Sequence, residues 1–84
     1  MIPIIYFGEY QSENIDIETL ETGIYGVYSL TRICHGPAEI SNLNHCATVF
    51  RFVFGIYQHT LIFDNEAPGV WVKFRDTREW HSYF

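Results

Sequence analysis

Cys34-His35 and His45-Cys46 are the residues whose types best suit chemistry. A zinc site takes four such ligands, usually paired with about two to four residues between them so that both side chains reach one point. Here each pair is adjacent, and neighbours on an extended chain point to opposite faces. The pairs therefore read as two thiols and two loop histidines, with a Cys34–Cys46 disulfide as the alternative. Neither cysteine sits at a predicted helix start of the kind that activates a nucleophilic thiolate.

Paired carboxylates would need a cleft to hold them, yet Asp64, Glu66, Asp76 and Glu79 fall in predicted turns, where acids are solvated. Gly23 and Gly26 flank a strand aromatic and no helix follows them, so there is no phosphate-cradling loop. His35, His45 and His81 lie in or near turns and His59 at a strand start, which places four groups that titrate near neutrality without assigning them a task. No catalytic residue, cofactor or metal is expected. The side chains suited to recognition are Trp71, Trp80 and Tyr83, whose rings can stack on sugars, together with the cations Lys73 and Arg75. The competing role for both tryptophans is to cap a small core.

These side chains must be positioned by a domain of only 84 residues, 48% hydrophobic and 18% aromatic. A chain this short buries about 60–65% of its unfolded surface, so its aromatic surplus points to self-association. The net charge of -5 leaves no basic surface for a phosphate backbone, which argues against nucleic acid. Glu9, Glu13, Asp16, Glu18 and Glu21 all precede the first basic residue, Arg32, whereas Lys73, Arg75 and Arg78 come late. This order permits a head-to-tail contact between copies, although two solvated faces are the favoured explanation. Met1 to Phe7 is apolar but short and lacks a basic leader, so a soluble, untargeted protein without a membrane span is expected.

Alternation and turn residues predict the elements. Ile2 to Tyr6 reads as a strand ended by Gly8, with Ile2, Ile4, Ile5 and Tyr6 as a candidate assembly or swap strand in a segment 1–12. The domain proper is assigned to residues 13–84. Ile15, Ile17 and Leu20 among acids predict a single helical turn between Ser12 and Thr22. Ile24 to Ile33 reads as a central strand, and Cys34 to Cys46, rich in turn formers, as a surface loop. In Ala47 to Tyr57 the Phe50, Phe52, Phe54 stripe is assigned to the core, and Gly55 to a bulge or bend. Gln58 to Phe63 and Val70 to Arg75 form a hairpin around Asp64 to Gly69, and Trp80 to Phe84 closes the chain. The expected class is mainly β: a small antiparallel sheet of about five short strands with one short helical turn.

The stretch Leu20-Glu21-Thr22-Gly23-Ile24-Tyr25, the turn His35-Gly36-Pro37, the Gln58-bearing strand and the ending Val70-Trp71-Val72-Lys73-Phe74-Arg75 to Trp80-His81-Ser82-Tyr83-Phe84 occur in an order that resembles the pyocin-knob domains of phage tail fibres and R-type pyocins. The resemblance spans about 70 residues; Phe84 stands where a second Trp is usual, and the loop bearing both cysteines is unusual. It implies a trimeric, non-enzymatic virion module beside other virion proteins, contacting a cell-surface glycan or protein. Trp71, Lys73, Arg75, Trp80 and Tyr83 would then be its contact residues. An acidic inhibitor or immunity protein that blocks a host or toxin enzyme is the alternative from another class.

Overall fold

The computed structural model of the chain describes residues 5–11, 14–73 and 79–83, the first segment by its backbone alone. Eight strands follow one another: β1 (Ile5–Gln11), β2 (Ile15–Asp16), β3 (Gly23–Val27), β4 (Ile33–Cys34), β5 (Ala47–Phe54), β6 (Tyr57–Asp64), β7 (Val70–Lys73) and β8 (Trp80–Tyr83). Six form one sheet in the order β1-β3-β5-β6-β7-β8, while β2 and β4 make a two-residue parallel pair outside it. From β3 to β8 every pairing is antiparallel, which is the expected mainly β architecture.

Strand β1 extends the sheet in the parallel sense, with Ile5 opposite Gly23 and Tyr6 opposite Ile24. It continues through Gly8 to Gln11, beyond the end read from the sequence. Ile5 and Tyr6 of the candidate assembly strand are thus paired within their own chain; Ile2 and Ile4 lie outside the described residues. Parallel neighbours need a crossover of about a dozen residues, and the segment between β1 and β3 supplies it. Its apolar Ile15, Ile17 and Leu20 pack on the core beside a single β-turn, closed by the Thr19 N–H donating to the Asp16 carbonyl at 3.1 Å, in place of the helical turn expected there.

Among the described residues the two helical turns, both 3-10, occur elsewhere, at Leu30–Arg32 and Ala38–Ile40. Ser29 starts the first, its hydroxyl accepting from the Thr31 backbone N–H at 3.3 Å. This ends β3 at Val27, so the long central strand expected to reach Ile33 is cut short. The cysteine-flanked segment is also more than surface loop. Pro37 and Ile40 are buried and Leu43 packs against the core, so turn-forming residues carry the lid of the hydrophobic layer.

That layer lies between the sheet and its irregular cover, around Ile17, Tyr25, Val27, Leu30, Ile33, Ile40, Ala47, Val49 and Ile62. On β5 the buried parity is Ala47, Val49 and Arg51. The phenylalanine stripe assigned to the core lies on the opposite face, where Phe50 and Phe52 are half-buried and Phe54 is exposed. Over β5 the cover packs closely on Ala47 and Val49, while Tyr25 on β3 and Trp71 on β7 fill the covered face to either side, which leaves no room there for three further rings. At the β5–β6 hairpin the chain bends at Gly55, without a bulge: Gly55 is the first residue of a two-residue turn, with the positive φ of 61° that such a turn takes.

Arg51 is only 4% exposed and pairs with no carboxylate among the described residues, yet all three of its guanidinium nitrogens donate hydrogen bonds. Nε donates to the Leu20 carbonyl at 3.2 Å, Nη1 to Thr60 Oγ1 at 2.7 Å, and Nη2 to Gln58 Oε1 at 2.7 Å and to the Glu18 carbonyl at 3.4 Å. Burial pushes the group below its ordinary value, opposed by the charges of Glu18, Tyr25 and Asp16. The crossover is thereby fastened to the middle of the sheet. Arg51→Lys keeps the charge but loses the planar fork and should lower the free energy of unfolding by about 1.5–3 kcal/mol. Arg51→Ala strands the acceptors and should cost about 3 kcal/mol or more, most of what a domain of this size possesses. Urea denaturation of the two variants checks this; an Arg51→Ala protein as stable as wild type would deny the residue its role.

Candidate functional site

The crossover turn, the Cys34–Ile40 segment and the far end of the sheet meet around a cleft of about 740 Å³. Glu18, His35, Gly36, Ala38, Glu39, Lys73, Glu79 and Trp80 line it. Each side chain arrives for a local reason. Arg51 holds the Glu18 carbonyl, while the Asp16 carboxylate accepts the Glu18 backbone N–H at 3.0 Å, which shapes the turn that projects Glu18. His35 is the one described non-glycine residue with positive φ, 64°, a left-handed conformation that redirects the chain before Gly36-Pro37. Gly36 packs close to Ile33: a Cβ there would come within 3.0 Å of Ile33 Cγ2. Lys73 and Trp80 are register partners on β7 and β8 and face the covered side of the sheet.

Charged groups in the cleft are engaged with one another. His35 Nδ1 lies 2.8 Å from Asp16 Oδ1 and 3.8 Å from Glu18 Oε2. Lys73 is 8% exposed, with Nζ 3.4 Å from Glu18 Oε1 and 5.9 Å from the Trp80 ring centroid. The acidic early segment and the basic late segment therefore meet within one chain at Glu18 and Lys73. Asp16, Glu18 and His35 place three potential ligand atoms within 4.8 Å of one another, a spacing a cation could accept. The Asp16–His35 hydrogen bond and the ammonium beside Glu18 already give these groups partners.

A second histidine pair lies outside the cleft. His45 Nδ1 is 2.8 Å from Asp64 Oδ2, whose side chain is almost wholly buried. The same turn is tied by Asn65 N–H donating to the Cys46 carbonyl at 2.9 Å and Cys46 N–H donating to Glu66 Oε2 at 2.7 Å. Both cysteines are free thiols, Cys34 exposed and Cys46 partly so.

Among the residues singled out for recognition, the fold brings Lys73 and Trp80 together in the cleft. Trp71 and Trp80 both pack against the core on this face, so Trp80 combines a core contact with its place in the cleft. Tyr83, 60% exposed, stands opposite Val70 on the other face, and Arg75 lies outside the described residues. Glu18, His35 and Glu39 were not singled out as contact residues, because their approach depends on loops whose path no short-range pattern specifies. No helix among the described residues is long and apolar enough to cross a membrane. No family model, curated protein or solved structure matches the chain.

Hydrogen bonding to Asp16, followed by the charges of Asp16 and Glu18, raises the His35 pKa above its ordinary 6.5. The hydrogen bond from His35 is the main cause lowering that of Asp16. The histidine contribution to stability is fully present below pH 6.5 and is lost as pH rises through the raised folded value. At the acid end, the Asp16 contribution is present above 3.8 and is lost as pH falls through its lowered value. A ring-proton NMR titration should find the His35 midpoint above 6.5 in wild type and closer to that value in Asp16→Asn. Identical midpoints in the two proteins would show that the pair does not form.

Proposed function

We propose that this protein is a non-enzymatic recognition module of the kind carried on phage virions, and that it binds a hydroxyl-rich cell-surface glycan in the cleft. One observation carries the reading: an indole, Trp80, stands in a cleft with the carboxylates of Glu18, Glu39 and Glu79 and the ammonium of Lys73. An aromatic ring offers a stacking surface to the C–H face of a sugar, while carboxylates accept and ammonium donates hydrogen bonds at its hydroxyls. The cleft lies within the range of volumes, about 300–1,000 Å³, that small ligands occupy. The knob-like order of motifs along the chain supports the virion setting.

The pairs His35–Asp16 and Lys73–Glu18 serve here to hold the rim in shape, and Glu39 and Glu79 are exposed to water, so the arrangement favours binding over acid–base chemistry. The second reading, an acidic inhibitor or immunity protein, draws on the same rim, where Asp16, Glu18, Glu39 and Glu79 could face a basic partner protein.

Trp80→Ala should weaken glycan binding at least tenfold, a loss of about 1.4 kcal/mol or more. Calorimetric titration against hits from a glycan array measures it. Sugar binding through stacking and hydrogen bonds should persist at about 0.5 M salt, whereas a complex driven by surface charge is screened there. An array without hits, with salt-sensitive capture of one basic protein, would replace the glycan reading by the inhibitor reading.

A further inference from the structure

Among the described residues, the cover of crossover and loops packs on one face of the sheet. On the other face, register places Phe50 opposite Leu61, Thr48 opposite Phe63 and Val70 opposite both Phe63 and Tyr83. Phe50 and Phe63 meet edge to face at 5.4 Å, so the aromatic surface is continuous across β5 and β6. Phe54, Tyr57, Phe63 and Tyr83 are 44, 49, 38 and 60% exposed, which at about 200 Å² per ring leaves about 400 Å² of aromatic surface in water. Half-buried Phe50, Phe52 and Leu61 add to it. That is already the size of the largest patch on a typical monomer, about 300–600 Å², and the added residues carry it towards the about 800 Å² that each partner contributes to a stable interface.

From these observations we infer that the open face of the sheet docks on the same face of a second copy of this chain, giving a two-fold dimer whose sheets pack face to face. Three features select a second copy over another partner. The face is mainly apolar, with His59 opposite Phe52, His81 opposite Val72 and Thr48 opposite Phe63 as its polar members, so its own chemistry is its complement, as an isologous contact requires. Every Asp, Glu, Lys and Arg of β5, β6 and β7 lies at the other parity, as Arg51, Asp64 and Lys73 do, so two chains of net charge -5 can meet here without opposing ions. Aromatic and aliphatic side chains on two such faces interdigitate when sheets stack about 10 Å apart. A threefold assembly would instead need two different complementary patches on each copy, and this face supplies a single one.

The dimer goes beyond the recognition role and is separable from it, because the cleft opens on the covered side. Light scattering on a size-exclusion column, across a dilution series, should give twice the mass of one chain for the wild type. Phe52→Glu places a charge in the centre of the face and should halve that mass at concentrations where the wild type is paired, with an unchanged far-ultraviolet circular dichroism spectrum. Leu61→Lys, on the neighbouring strand, should do the same, and mixing the two variants should restore the double mass by pairing opposite charges. Trp80→Ala should leave the mass at two chains. A wild type of one chain or of three at all concentrations, or a folded Phe52→Glu protein that remains paired, would overturn the dimer.

Discussion

A buried guanidinium is a demanding thing to place in so small a domain. Removing a cation from water costs several kcal/mol unless its donors are matched, and Arg51 is matched by two carbonyls of the crossover and two side chains of β6. Because all four acceptors are neutral, the stabilisation comes from geometry: the planar fork is satisfied only if the turn through Glu18 and Leu20 lies at one height above the sheet. That constraint seats Ile17 in the core and points Glu18 towards Lys73 and His35. The cleft is thus a consequence of how the core is closed.

The two faces of the sheet are closed differently. Beneath the crossover and the Cys34–Ile40 segment, Val27, Ala47, Val49 and Ile62 are sealed almost completely from water. Over β7 and β8 the cover thins and leaves the cleft, where Lys73 lies low with its ammonium held by Glu18 and its charge near the Trp80 ring. The opposite face has no comparable cover among the described residues, and there the largest rings of β5 and β6 accumulate.

The strands were legible because their β-branched and aromatic runs are bounded by turn residues, and β6, β7 and β8 begin within a residue of where alternation places them. Which parity faced inward was not. On β5 both parities are apolar except for Thr48 on one and Arg51 on the other, and a charged residue normally marks the outer face; only the acceptors from residues 18–20, 58 and 60 reverse that inference. Local polarity also concealed the role of Pro37 and Ile40, which sit among turn formers yet close the core. Strand parity alone could have separated the recognition residues: Trp80 and Tyr83 are three positions apart on one strand and must face opposite sides. Glu18 and His35 had no such signal, since 17 positions of chain and a left-handed residue intervene before they meet.

The proposed assembly and recognition surfaces lie on opposite faces of the same two-residue period. Along β5 the sequence alternates between Arg51, which organises the covered face and the cleft, and Phe50 and Phe52, which furnish the open one. Pairing two open faces would exclude water from β5 and β6 on both sides, so the hydrogen bonds between these strands would be shielded in the dimer and half-shielded in one chain. A domain of this size gains more from that second layer than a larger one would, because its single core is close to the smallest that folds. The cleft gains in turn: Lys73, paired through Thr60 with the strand that bears Arg51, holds its position only as firmly as the central strands hold theirs. Burial of the aromatic face in the proposed dimer would therefore stiffen a proposed binding surface that it never touches.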